Sequence, residues 1–452
     1  MSIAPTREHI LPDMLTASDL LAVAPMSMRV EDGHVTLGGI DLIDIAEKFG
    51  TALYVYDEAH IRRQLSEYRE EFKLCYPQSS IIYAAKAFCC VAMDRIVADE
   101  SCYIDVASGG ELAIARAAGF PMEHVVAQGN NKTPREIAEA IESGVGLFVV
   151  DTIEELDRIS ACAKANGVEQ TIVLRICPGI EADTHAYIQT ANEDSKFGFN
   201  IRNGAAQEAL KHALGLPNLD VAGFHCHIGS QIFELNSYVE AINTMFAFMD
   251  EMRHVVGFTA RILDIGGGLG IPYTVHDEPA SIAQFAKTAT DAVHENCSTY
   301  DYPYPHLFTE PGRSIVANAG ITLYTVGSVK VNEGICTYVA IDGGMTDNIR
   351  TALYGSKYEA FVVDHADEPR SVICDIVGKH CESGDVVVKN SPLQPCRAGD
   401  TVCVLGTGAY CNEMASNYNK QVRPGIVFVT DGVAHEVVRR ETYSDLLMRD
   451  VL

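Results

Sequence analysis

Between residues 81 and 310 short apolar runs alternate with helix-like stretches, and this alternation constrains the fold more than any other feature of the chain. The runs are Ile81–Ala84, Tyr103–Ala107, Val125–Ala127, Leu147–Val150, Ile172–Ile176, Val221–Cys226, Ile262–Ile265 and Leu307–Thr309. Between them lie segments such as Gly110–Ala118, Pro134–Ser143 and Ile153–Asn166, whose apolar residues recur at helical spacing. Strands separated by helices pair in parallel, because each helix carries the chain back across the sheet. Roughly eight such units in a row predict a closed (β/α)8 barrel of the TIM type. An open, doubly wound sheet is the competing arrangement.

At 452 residues the chain is too long for one ordinary domain. Beyond residue 315 the texture turns β-rich, with runs at Ile321–Val331, Thr337–Asp342, Val372–Val377, Val386–Val388, Thr401–Leu405 and Ile426–Thr430. Turn signals such as Asp342-Gly343-Gly344 and Ser383-Gly384-Asp385 separate them. Residues 1–28 hold Pro5, Pro12 and Pro25 without a clear period and are expected to form an N-terminal extension. Residues 29–54 alternate and then become helical, and this N-terminal strand is expected to join the β-rich domain. The expected division is therefore a barrel over 55–314 and a β-rich domain over 315–452 with the 29–54 segment added.

Composition narrows the function. A net charge of −27 repels nucleic acid and anionic membrane, so neither is an expected partner. The 14 cysteines lie singly apart from Cys89 and Cys90, with no Cys-x-x-Cys pair, which points to reduced thiols rather than a zinc ribbon. The N-terminus mixes Arg7, Glu8, Pro12 and Asp13 and does not read as a signal peptide. A cytoplasmic location is expected.

In a barrel, chemistry gathers where strands end, and polar residues gather there in this chain. Lys86 follows the first run, Asp105 and Ser108 close the second, and Arg175 lies in the fifth. His225 and His227 lie in and after the sixth, Gly266-Gly267-Gly268 follows the seventh, and Glu310-Pro311-Gly312-Arg313 follows the eighth. Each has a bland alternative: a snorkelling lysine, a tight glycine turn, a surface ion pair. Lys86, among small and apolar neighbours, could instead be an amine that forms a Schiff base. The glycine run suggests backbone N–H groups aimed at a phosphate. Ile271 stands where a Rossmann fingerprint needs glycine. His225-Cys226-His227 would put both imidazoles on one face of a strand. That spacing suits a metal, or a ring stacked on a flat cofactor with Gly229-Ser230-Gln231 supplying phosphate donors. A barrel hydrolase would need further ligands at strand ends, and no other histidine is found there. Glu310 could hold a protonated ring nitrogen.

Taken together, the motifs resemble the fold-type III pyridoxal-phosphate decarboxylases, and within them the diaminopimelate decarboxylase branch. They run in that family's order: YAxK at 83–86, SGGEL at 108–112, KFGF at 196–199, HxHIGSQ at 225–231, GGGLG at 266–270, EPGR at 310–313, DGGMTDNIR at 342–350, CESGD at 381–385 and GAY at 408–410. The resemblance implies an alanine-racemase-like barrel, with a β domain built from both chain ends. It makes Lys86 the Schiff-base lysine, stacks His227 on the cofactor ring, and pairs Glu310 with the pyridine nitrogen. Asp105, Gly267, Gly268, Gly312, Arg313, Ser230 and Tyr410 complete the cofactor site. Cys381 would return a proton to the α-carbon from the partner subunit, which implies a homodimer with shared active sites.

Substrate choice turns on the far end of the substrate. Ornithine and arginine end in a cation, whereas diaminopimelate carries a second carboxylate beside its far amine. Arg313 and Arg350, with Tyr354 and Tyr410 nearby and Glu382 to meet an ammonium, suit a zwitterionic end. The rival readings are a related decarboxylase acting on carboxynorspermidine, ornithine or arginine, and an inactive pyridoxal-phosphate-binding homologue. Phe88 and Thr351 depart from the family's usual pattern.

Overall fold

The computed structural model describes residues 15–179 and 196–451. The chain divides into two compact units. One comprises residues 1–60, 273–276 and 318–452; the other comprises 61–272 and 277–317.

The second unit is the barrel. Its strands are β1 (Ser79–Ala84), β2 (Tyr103–Val106), β3 (Val125–Ala127), β4 (Leu147–Val150), β5 (Gln170–Cys177), β6 (Leu219–His225), β7 (Ile262–Asp264) and β8 (His306–Thr309). Neighbours pair in parallel around the ring, and β8 closes on β1 through Leu307 opposite Ser79. The doubly wound alternative is thereby excluded. Ile82, Val126, Val149, Val173, Ala222 and Phe308 form one buried cluster drawn from six strands, so the barrel has a packed interior.

Local chemistry sets the helix limits. Thr133 and Glu136 form a reciprocal capping box ahead of the helix Pro134–Ser143, proline occupies its first turn, and Gly144 ends it in the left-handed region. Thr152 and Gly167 bound Ile153–Asn166, and Ser108 and Gly119 bound Gly109–Ala118, by the same devices. A buried cation ties the loop after β3 to the next βα unit. Lys132 Nζ donates to Gly129 O (2.9 Å), Val149 O (2.6 Å) and Glu155 Oε1 (2.7 Å), so all three of its protons are used.

The other unit is β-rich. Its longest strand, Gly320–Asn332, pairs antiparallel with Leu53–Asp57, Cys336–Ile341 and Thr401–Val404. Leu53–Asp57 also pairs in parallel with Gly425–Thr430, which places an N-terminal strand within the C-terminal sheet. Residues 29–41 form a separate three-stranded sheet. Of the segment expected to be an extension, residues 1–14 lie outside the described residues. Residues 15–28 are packed in, for Ala17, Leu20, Val23, Ala24 and Met28 are buried with Val55, Leu323 and Val427 in one core. Strands Ala360–Val362 and Val433–Val438 were not foreseen. No helix among the described residues is long and apolar enough to cross a membrane, and the described cysteines form no disulfide.

Candidate active site

The barrel unit brings its predicted polar residues to the carboxyl ends of its strands. β1 ends at Ala84, and Lys86 sits in the short 3-10 turn Ala85–Ala87 that follows. The Ala85 N–H donates to Asp105 Oδ1 across 2.9 Å, which fixes that turn against the end of β2. Burial raises the Asp105 pKa well above the usual carboxylate range, while the nearby Lys86 charge opposes the rise.

Glu310, just beyond β8, is buried and both of its oxygens accept hydrogen bonds. The Gln128 amide donates to Oε1, and His225 Nε2 lies 3.2 Å from Oε2. Burial pushes the Glu310 pKa upward, but His225, Lys86 and His227 outweigh it and bring it down to about 2. The carboxylate is therefore an anion at neutral pH, enclosed by donors and a lysine.

The two histidines do not share a strand face. β6 stops at His225, and the backbone beyond it is irregular. His225 turns to Glu310, whereas His227 Nδ1 accepts the Gly267 N–H at 3.3 Å. Burial, with the Lys86 and Arg175 charges, lowers the His227 pKa well below its ordinary value, so its ring is neutral near pH 7.

The glycine run forms no helix N-terminus. Gly266 (φ 67°) and Gly268 (φ 119°) occupy backbone space that disfavours other residues. A side chain at Gly267 would collide with the Glu310 carbonyl, and one at Gly268 with the Gly229 carbonyl. The loops after β6, β7 and β8 thus meet backbone to backbone. There the Arg313 guanidinium donates to Ser230 Oγ at 3.0 Å, joining a cation and a hydroxyl beside the bare backbone. Gly312 packs its Cα against Ala84 and Ala87, on either side of the Lys86 turn.

Three further residues of this site were not singled out by sequence reasoning: Gln128, Asp264 and Asp151. Each stands at a strand end, which was the available signal. Asp151 accepts the Gly198 N–H at 3.0 Å and faces Arg175, whose guanidinium lies over the Phe197 ring at 4.3 Å. Among the described residues, one group of three, His225, Asp264 and Glu310, places possible metal-ligand atoms within 4.8 Å of one another.

The β-rich unit gathers its own predicted residues in two places. Arg350 is buried, and its guanidinium lies 5.0 Å from the Tyr354 ring centre and 5.2 Å from that of Tyr410. Tyr410 holds a positive φ of 63°, an uncommon conformation for a bulky residue. The turn before Arg350 is tightly tied: the Gly344 N–H donates to Asp347 Oδ2 (2.9 Å) and the Met345 N–H to Asp385 Oδ1 (2.6 Å). Cys381 and Glu382 are exposed at the next turn, where the Cys381 N–H donates to Asn419 Oδ1 at 3.0 Å. The two pattern departures are structural within their units: Phe88 is fully buried, and the Thr351 hydroxyl donates to Val387 O at 2.6 Å.

The pyridoxal-binding domain of the pyridoxal-dependent decarboxylases matches residues 58–317. A diaminopimelate decarboxylase of Bacillus subtilis is 44% identical over 425 residues, covering 94% of this chain and 97% of that one. Among solved structures, diaminopimelate decarboxylase from M. jannaschii superposes with a TM-score of 0.87 at 34% identity, covering 94% of this chain and 98% of that one. The same enzyme in complex with L-lysine gives 0.86 over 97% of this chain and 99% of that one. With a barrel of this kind, a lysine in the turn after its first strand and a buried anionic glutamate after its last, the chain belongs to the diaminopimelate decarboxylase family of pyridoxal-dependent decarboxylases.

Proposed function

We propose that this protein removes one carboxylate from meso-2,6-diaminopimelate, giving L-lysine and carbon dioxide. The observation that carries the reaction class is Lys86 in the turn after β1 together with Glu310 beyond β8, whose buried carboxylate accepts from the Gln128 amide and lies 3.2 Å from His225 Nε2. The residues of the barrel unit fit pyridoxal phosphate chemically. Lys86 offers an amine to the aldehyde, and Glu310 offers an anion to the ring N–H. The neutral His227 offers a flat ring to stack, with Asp105 ordering the lysine turn. Ser230, Arg313, the N–H groups of Gly268 and Gly312 and the bare backbone at Gly267 suit a phosphate dianion, with Tyr410 as a further donor. When bound, the cofactor accepts the electron pair left behind by the departing carboxylate.

The chain's own groups do the rest. Glu310 holds a proton on the pyridine nitrogen. Lys86 Nζ would hold the cofactor aldehyde and would give way there to the substrate amine. Cys381 Sγ delivers a proton to the α-carbon. At the far end, Arg313 and Arg350 receive the distal carboxylate, Glu382 the distal ammonium, and Tyr354 and Tyr410 flank them. The unit of function in this reading is a cytoplasmic homodimer in which Cys381 serves the Lys86 of the partner subunit.

The test is product analysis. The purified protein is incubated with pyridoxal phosphate and, separately, with meso-diaminopimelate, ornithine, arginine or carboxynorspermidine, and the products are identified by mass spectrometry. Lysine from diaminopimelate alone is expected. A diamine from ornithine or arginine, or decarboxylated carboxynorspermidine, would overturn the substrate and the role given to Arg350.

A further inference from the structure

The family reading uses Glu310 but leaves unexplained a second acid beside it. Asp264 is the last residue of β7 and is fully buried. Its Oδ1 accepts the Gly266 N–H at 2.8 Å. Its Oδ2 is also buried and has no hydrogen-bond partner among the described residues. Ligand atoms of Asp264, Glu310 and His225 lie within 4.8 Å of one another. Two carboxylates this close, away from water, do not both ionise. An ionised Asp264 would also leave a buried anionic oxygen without a donor, whereas a protonated one is itself a donor facing an anion.

We propose that the buried pair Asp264 and Glu310 holds a single proton, that the proton resides on Asp264, and that His225 and Gln128 are the positioning residues that keep the charge on Glu310. The asymmetry lies in the donors. Glu310 receives the Gln128 amide on one oxygen and His225 on the other. His225 Nε2 is also 3.4 Å from Gln128 Nε2. Because that amide already donates to Glu310 and a carboxylate can only accept, the ring carries its proton on Nε2. Asp264 receives only one backbone N–H.

The neighbouring cationic and imidazole groups, Lys86, His225 and His227, favour the anion on Glu310. Burial, Glu310 and Asp105 act on Asp264 to favour its neutral form, against the Gly266 N–H. Around His225, burial and Arg175 favour the neutral ring, against Glu310 and Asp151. Neighbouring acids whose environments push them apart are how a site keeps one of them ionised. Here the ionised one is the group that must hold a proton on the cofactor ring.

The proposal rests on the reading of Glu310 given above, and the first two arms of its test need no turnover. Apoprotein labelled with 13C in its aspartate side chains is measured at pH 7 by infrared spectroscopy in the carbonyl region of protonated carboxylic acids. Asp105, whose burial favours the protonated form, contributes there too, so the signal read is the difference between wild type and Asp264→Asn. Loss of one isotope-shifted band in D264N is expected. Should D264N fail to fold, Glu310→Gln reads the other half: it should remove no unlabelled, protonated glutamate band. A third arm tests positioning. His225→Ala should move the acid limb of the kcat/KM profile upward by about one pH unit or more, and His225→Gln, which keeps an N–H, should restore part of it. An unchanged spectrum in D264N, loss of an unlabelled band in E310Q, an acid limb unmoved in H225A, or a stoichiometric divalent ion held by wild type and lost in D264N would each overturn the proposal. Product analysis judges the decarboxylase reading separately.

Discussion

In the proposed reading, substrate choice rests on Arg350. A lysine would keep its charge but lose the planar fork and the stacking on Tyr354 and Tyr410. Removing one partner of a buried charged pair costs about 2–5 kcal/mol, or roughly 30-fold to several-thousand-fold in kcat/KM. Arg350→Ala should lose activity on diaminopimelate within that range, most of it in KM, and Arg350→Lys should recover only part. Steady-state kinetics on both variants check this, and an R350A enzyme as active as wild type would remove the arginine from the substrate site. At this scale the sequence was a good guide where one residue acts through its own chemistry. Lys86 and Glu310 stood out as reactive or ionic groups at strand ends, whereas Arg350 was singled out only through the family motif at 342–350. Gln128 and Asp264 were not, because an amide or an acid at a strand end means little until the strands close and bring it to Glu310. His225 and His227 were misplaced for a related reason. Period two holds only while the strand continues, and β6 stops between them.

At the scale of elements, boundaries were legible where the signals are local. The helices Pro134–Ser143 and Ile153–Asn166 begin and end where their caps dictate. Strand Ala360–Val362 is three residues long, and Val433–Val438 is largely exposed with His435 and Glu436 in its middle, so neither carries an apolar period. Two elements make predictions of their own. Lys132 joins the loop after β3 to β4 and the helix beyond. Breaking a buried ion pair by removing one partner costs about 3–5 kcal/mol. Lys132→Met should therefore lose stability of that order in urea unfolding, and adding Glu155→Gln should recover part, since the stranded charge goes with it.

The 342–350 turn carries the second. Burial pushes the Asp347 carboxyl up to about 6, against the Gly344 N–H and the Thr346 hydroxyl. Its ordinary value is about 3.9, so the native state holds this proton more tightly than the unfolded chain. The stabilisation is fully present below about pH 4 and is lost as pH rises through 6. Asp347→Asn has nothing to titrate. The stability of the variant relative to wild type should rise between pH 4 and pH 7 by on the order of 2–3 kcal/mol. Urea unfolding at several pH values measures that change, and a fixed cost from altered hydrogen bonds cancels in the comparison. A difference independent of pH would mean that Asp347 titrates normally.

For the whole molecule, the barrel was legible because each βα unit is local and repeats, whereas the β-rich unit was legible only in outline. Its sheet is held by Leu53–Asp57, which pairs with strands more than 260 residues away in sequence at Gly320–Leu323 and Gly425–Val429. No local pattern specifies such a pairing. The same holds for assembly. Cys381 is exposed and, in the proposed reading, completes the site of a second copy. If so, Lys86→Ala and Cys381→Ala subunits are each nearly inactive alone but complementary when mixed. Each hybrid dimer contains one site with both residues intact and one with neither. Random exchange at equal amounts makes about half the dimers hybrids, and about a quarter of all sites whole. Recovered activity should approach that fraction of wild type, with a time course that follows subunit exchange monitored by fluorescence transfer. If exchange is complete and activity stays at the level of the separate variants, Cys381 does not serve the partner's lysine, and the proton must come from another group.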